Sequence, residues 1–157
     1  MATAEHELDA PPWQRVESTL MATSRAIRRA YDAHLAPLGL NLSEASLLAF
    51  VGEHGPVSQT QLAERLGMNR ASTGAVVDAV LARGLVGRDP SPTDRRVWLV
   101  RITDDGRALA AQVAIVDGAL REQLRAGLSR AERQQLARTL LRLQSNLAVV
   151  LESPGTR

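Results

Sequence analysis

The sequence predicts a mainly helical chain that carries one small β-hairpin. Three observations lead there. Aromatics make up only 3% of the 157 residues, so the apolar set is Leu, Ala, Val and Ile, of which Leu and Ala are strong helix formers. Apolar residues recur at helical spacing over most of the chain. Only one stretch, from about residue 85 to residue 102, changes to short strands around a turn-rich loop.

Residues 1–12 read as a flexible tail that ends in Pro11-Pro12. Helical spacing begins at Trp13 and continues to Ala36, with Val16, Leu20, Ile27 and Tyr31 recurring along it, and Pro37 and Gly39 end it. Ser43 is placed to cap a second helix with apolar Leu47, Leu48, Phe50 and Val51, stopped by His54-Gly55-Pro56. Ser58 with Gln61 forms a capping box for a short third helix to about Leu66, after which Gly67 makes the turn. Asn69 is placed to cap a fourth helix from Arg70 to Arg83, with Val77, Val80 and Leu81 as its buried stripe, and Gly84 sits where a helix end favours a left-handed residue.

The period then changes. Leu85 to Arg88 and Val97 to Ile102 read as two strands, the second placing Trp98, Val100 and Ile102 on one face. The loop between them, Asp89 to Arg96, is longer than packing requires, which points to a use. Thr103 caps a fifth helix that begins with Asp104 and Asp105, acids favoured at the positive end of a helix. Leu109, Val113, Val116, Leu120 and Leu124 form its seam. Ser129 caps a sixth helix with the seam Leu136, Leu140, Leu143, Leu147 and Val150, and residues 152–157 read as a frayed tail. Seams of this kind suit packing against another helix.

Composition excludes several classes. The absence of Cys removes disulfides, thiolate metal sites and thiol switches. His6, His34 and His54 are too scattered for a metal site, so neither a metal nor another cofactor is expected. No serine–histidine–acid arrangement or glycine-rich phosphate loop supports an enzyme. The start, Met1 to Asp9, lacks the basic and apolar runs of a signal peptide, and no run of about 18 apolar residues exists, so a cytoplasmic protein without a membrane partner is expected. All 19 basic residues are Arg, which suits phosphates and base edges, although a GC-rich coding sequence yields the same bias.

A short capped helix, a Gly turn and a longer helix make a helix-turn-helix, and the hairpin that follows makes it a winged one. The run Leu81-Ala82-Arg83-Gly84-Leu85-Val86-Gly87-Arg88-Asp89-Pro90-Ser91-Pro92-Thr93-Asp94-Arg95-Arg96 resembles the helix-to-wing segment of the MarR family. Leu99-Val100-Arg101-Ile102-Thr103-Asp104-Asp105-Gly106 resembles that family's second wing strand and next helix start, and Asp94-Arg95-Arg96 matches its Asp-x-Arg wing core. The resemblance runs from about Trp13 to Leu151. It implies a homodimeric, cytoplasmic, sequence-specific regulator of transcription, usually a repressor, acting on double-stranded DNA at a pseudo-palindromic operator. Residues 13–36 and 104–151 would form the helical dimerisation region and 43–102 the winged DNA-binding region.

Within that frame the helix 70–83 enters the major groove and the wing 89–96 meets the minor groove. Arg95 is the first candidate for the minor groove, where the negative potential of a narrow groove attracts Arg. Asp94 is repelled by phosphates and is expected to shape the wing by pairing with Arg95, Arg96 or Arg70. Arg88 and Arg96 are either phosphate contacts or structural. On the fourth helix the side opposite Val77 carries Ser72, Ala75, Val76, Ala79 and Arg83. Base contacts are expected from Asn69, Arg70, Ser72 and Thr73, with Ala75 and Val76 against thymine methyls, and burial is the alternative for Thr73. Relatives place a polar pair near Ala75-Val76, and this chain departs from them. Gln59 and Thr60 are candidates for backbone phosphates. Residues 65–101 hold seven Arg against three Asp, a surplus larger than the net +2 of the whole chain.

The resemblance also implies release by a small aromatic or phenolic ligand, for which Trp13, Arg15, Tyr31, His34, Leu47 and Phe50 are the candidate lining. A winged module that binds protein instead of DNA is the alternative, favoured by the thin polar content of the fourth helix.

Overall fold

The computed structural model describes residues 11–152. Most of the expected tail, residues 1–10, and residues 153–157 of the expected C-terminal tail lie outside the described residues. The chain divides into two compact units, one ending at Leu120 and the other beginning at Arg121.

The first unit opens with a short 3₁₀ turn at Pro12–Gln14, so the helix expected from Trp13 begins later, as α1 (Val16–Leu35). The second helix, α2 (Leu42–His54), is capped by Asn41 and not by Ser43. The Asn41 side chain accepts from the Glu44 N–H, and the Glu44 carboxylate accepts from the Asn41 N–H. Ser43 lies one residue inside the helix, and the preference for serine at caps was outcompeted by this reciprocal pair. Ala45, Leu47, Leu48 and Val51 of α2 are all buried, which makes it the central helix of the core.

A two-residue strand, β1 (Val57–Ser58), follows and leads straight into α3 (Gln59–Leu66). The expected capping box forms: Ser58 Oγ accepts from the Gln61 N–H and Gln61 returns the bond. Gly67, at φ +62°, closes α3 in the left-handed region. Next come α4 (Arg70–Ala82), capped by Asn69, then β2 (Val86–Pro90) and β3 (Trp98–Ile102). The sheet has three antiparallel strands in the order β1-β3-β2, where the sequence indicated two. Val57 pairs with Val100 and Ser58 with Leu99, so β3 is the middle strand. A two-residue strand carries no readable alternation, which is why it escaped.

The helix α5 (Asp104–Arg125) starts where the wing returns to the body. Thr103 caps it by accepting from the Gly106 N–H, and its hydroxyl also reaches the carbonyls of Gly84 and Leu85. The core joins Leu35 and Leu40, the buried residues of α2, Leu62, Val77, Val80, Val86, Val100, Ile102 and Val113.

The second unit contains the end of α5, a turn at Gly127 and α6 (Arg130–Glu152). Ser129 and Glu132 form the capping box of α6. The Ser129 hydroxyl first, and its backbone N–H second, hold the Glu132 carboxyl below its usual pKa. No residue of α6 is buried: Leu136, Leu141 and Leu147 are about half exposed or more. Among the described residues no single helix is long and apolar enough to cross a membrane.

Candidate nucleic-acid interface

The helix-turn-helix is assembled by three caps. Ser58 fixes the start of α3, Gly67 its end, and Asn69 the start of α4, because Asn69 Oδ1 accepts from the Ser72 N–H at 2.8 Å. This capping bond commits the amide oxygen of Asn69 and leaves only its NH₂ side available for a base. Arg70 and Ser72 are exposed on the first turn of α4, and Gln59 and Thr60 are exposed on the first turn of α3.

Thr73 is a correction. It is fully buried and its Oγ1 donates to the Asn69 carbonyl at 2.9 Å, so burial, the alternative weighed above, is the outcome. It lies one helical turn before Val77, and the apolar face claims both. Val76 is half-buried against the core, which removes much of the surface expected to meet thymine methyls, whereas Ala75 is exposed. Leu81 is only partly buried.

The arginines sort by partner. Arg88 meets Asp78 at 2.8 Å, Arg101 meets Asp89 at 2.7 Å and Arg96 meets Asp94 at 3.2 Å. All three Asp between residues 65 and 101 are thereby used, and the positive surplus rests on Arg65, Arg70, Arg83 and Arg95. Arg83, expected on the outer face of α4, instead turns back and donates to the carbonyls of Leu38 and Gly39 at 3.2 and 2.5 Å. Arg65 sits 5.8 Å over the ring of Phe50. Arg70 and Arg95 are exposed guanidiniums with no side-chain partner among the described residues. Arg88 thus links β2 to α4 through Asp78. Asp78, which supplies the link, was missed because an exposed helical acid carries no signal in sequence.

The wing tip is a built turn. Asp94 Oδ1 accepts from the Arg96 backbone N–H at 3.0 Å, and the Val97 N–H donates to the Asp94 carbonyl at 2.9 Å. This is an Asx turn closed by a β-turn, with Arg95 at its apex. The Arg96 N–H is the main cause, and its guanidinium the second, of an Asp94 carboxyl held below the usual value. Asp94 and Arg96 thus shape the tip, as expected of Asp94, and Arg95 projects from it. At the root of the loop Ser91 is buried, its Oγ 3.0 Å from Thr93 Oγ1.

The residues expected around a ligand are not brought together. A cavity of about 260 Å³ lies among α1, α2 and α5, lined by Tyr31, Leu35, Leu42, Ala45, Ser46, Ala49, Ala110, Val113, Ala114 and Asp117. Of the six candidates only Tyr31 lines it, its hydroxyl donating to Asp117 Oδ1 at 2.8 Å. Leu47 is sealed in the core, and Trp13 is 74% exposed on the 3₁₀ turn. Arg15 and His34 are exposed and line no part of it. Phe50 stacks on His54, 4.2 Å between ring centres, in a separate open groove with Arg65. Asp117 was missed, although an acid set between Val113 and Leu120 on an apolar seam is a readable signal.

With this geometry in hand, known proteins are informative. A family model described as the MarR family matches residues 38–97, from just after α1 to the wing. A transcriptional repressor named CouR, solved bound to a 23-mer DNA duplex, is 28% identical, with 82% of this chain and 92% of that one covered and a TM-score of 0.76. A MarR-family regulator from Rhodococcus sp. RHA1 is 26% identical over 80% of this chain and 89% of its own, with a TM-score of 0.73. A probable transcriptional regulator from Pseudomonas aeruginosa is 30% identical over 82% of this chain and 99% of its own, with a TM-score of 0.70.

Proposed function

Since the chain belongs to the MarR family of transcriptional regulators, we propose that it acts as a homodimer that binds double-stranded DNA sequence-specifically and represses until a small ligand releases it. The observation that carries the DNA reading is the pairing pattern. Every Asp between residues 65 and 101 is bound to an Arg, which leaves Arg70 at the start of α4 and Arg95 at the wing apex as open cations. Arg70 serves the major groove and Arg95 the minor groove, with Ser72 and Ala75 facing bases and Gln59 and Thr60 the backbone. CouR, a structural relative with DNA bound, supports the same use of the fold.

Dimerisation is supported by the second unit, whose helix α6 exposes Leu136, Leu147 and Val150 of its apolar seam in the single chain. Exposed apolar seams of that length mark association surfaces. Residues 13–36 and 104–151 are the proposed dimerisation region and 43–102 the proposed DNA-binding region.

The cavity beside Tyr31 is the proposed ligand site. Its walls are apolar, its polar groups are Tyr31, Ser46 and Asp117, and none of the described residues lining it is basic. Apolar walls with a few polar groups suit a small phenol or other aromatic molecule, whose ring the walls bury while its polar group meets theirs.

The test is affinity for the DNA upstream of the protein's own gene, across a salt series, for the wild type and Arg95→Ala. Tight binding with a steep salt slope is expected, weakened by about 1–3 kcal/mol and with a shallower slope in the variant. Binding by the wild type that is indifferent to salt would contradict the phosphate reading and favour a protein-binding module.

A further inference from the structure

The wing carries an apolar side chain that neither the core nor the arginine pattern explains. Trp98 is 55% exposed, although it stands on the same face of β3 as Val100 and Ile102, which are 1% and 3% exposed. The cause is length. Trp98 pairs with Pro90 in the last rung of the β2–β3 ladder, beyond the reach of the helices that cover Val100. The same face carries Arg88, which reaches Asp78 on α4, so this face of the wing is turned towards the proposed recognition helix. Pro90 beside Trp98 is exposed, and Val97 is 37% exposed on the opposite face. The wing therefore has an apolar root and a single open cation, Arg95, at its apex.

We propose that Trp98 is a DNA-contact residue, its ring packed on the deoxyribose wall of the minor groove at the place where Arg95 enters. The proposal rests on the DNA reading above and adds a contact to it. The chemistry of the two parts matches the groove. Its floor attracts cations, whereas its walls are sugar carbons against which an indole face is complementary, and the indole N–H can donate to an adjacent phosphate. A second copy of this chain is a poorer occupant, because it would bring a second Arg95 towards the first. DNA offers opposite charge to the surplus of four around the wing and α4.

The chain has two tryptophans, Trp13 and Trp98, so Trp13→Phe leaves Trp98 as the sole reporter. The DNA is the tightest duplex recovered by selection from a random library, labelled for anisotropy. The expected result is a change in Trp98 emission, with lower accessibility to acrylamide, that follows the anisotropy isotherm and reverses with salt. Trp98→Ala weakens binding by roughly 10-fold, the scale of losing a buried apolar side chain. It leaves the salt slope unchanged, because no phosphate charge is lost, whereas Arg95→Ala lowers that slope. Trp98→Phe recovers most of the affinity, which separates a packing contact from a folding defect. A duplex that binds while Trp98 emission and accessibility stay constant overturns the contact and leaves the DNA reading standing. Emission that shifts with protein concentration and not with DNA assigns the face to a second copy and overturns it too. A selection that enriches no duplex overturns the DNA reading itself, and the contact with it.

Discussion

Replacing Gly106 with Ala would set a Cβ 2.0 Å from the carbonyl oxygen of Leu85 and 2.8 Å from Ile102 Cγ1. The first partner is backbone and cannot rotate away. It is also in use, accepting from the Thr103 N–H at 3.1 Å and from the Thr103 hydroxyl at 2.9 Å. The substitution must therefore separate the start of α5 from the start of the wing by more than an ångström. Overpacking of this kind costs roughly 1–3 kcal/mol, and strained or lost hydrogen bonds at Thr103 add about 1 kcal/mol each. The better helix propensity of Ala offsets about 1 kcal/mol. A net loss of about 2–4 kcal/mol follows. Gly118, in the same helix, has nothing within 4 Å of an added Cβ, so Gly118→Ala is expected to stabilise by about 0.5–1 kcal/mol. Urea denaturation at one fixed protomer concentration measures both, since the stability of a dimer depends on concentration. A Gly106→Ala protein as stable as Gly118→Ala would refute the close approach and the reasoning built on it.

Four further outcomes are expected. Thr73→Val exchanges a buried hydroxyl, satisfied by the Asn69 carbonyl, for a methyl of the same shape, so stability should move by no more than about 1 kcal/mol and DNA sequence preference should not change; altered preference in a binding-site selection would return Thr73 to the interface. Asp94→Ala removes the acceptor that closes the wing turn and weakens DNA binding, whereas Asp94→Asn keeps an acceptor for the Arg96 N–H and binds better than the Ala variant; equal losses in electrophoretic titrations would contradict a shaping role. Because the Asp94 pKa is lowered in the folded chain, its contribution is complete above the ordinary value of 3.8 and is lost as pH falls through the folded value; NMR titration should place the midpoint below 3.8, with Arg96→Ala returning it part of the way. A panel of small phenols should raise the melting temperature of the wild type, and Ala110→Leu, which narrows the cavity, should reduce that rise.

Sequence alone determined what depends on neighbours along the chain. The box at Ser58-Gln61, the caps at Asn69 and Thr103, the glycine turns at Gly67 and Gly84 and the change of period at the wing are local, because the atoms that satisfy one another lie within four residues. From them the helix-turn-helix, the wing and the pairing role of Asp94 were legible. The tertiary structure decided what depends on which face meets what. The choice of Asn41 over Ser43 turned on a reciprocal bond. The core claimed Thr73, expected among the base contacts, and much of Val76, while the Leu38–Gly39 carbonyls drew Arg83 from the expected outer face of α4. β1 exists only because β3 offers it an open edge. Tyr31 and Asp117 come together across 86 positions of chain, and Trp98 stays exposed because the ladder outruns the helices. Short-range hydrogen bonds are written in spacing, whereas burial and ion pairing are set by where distant segments come to rest.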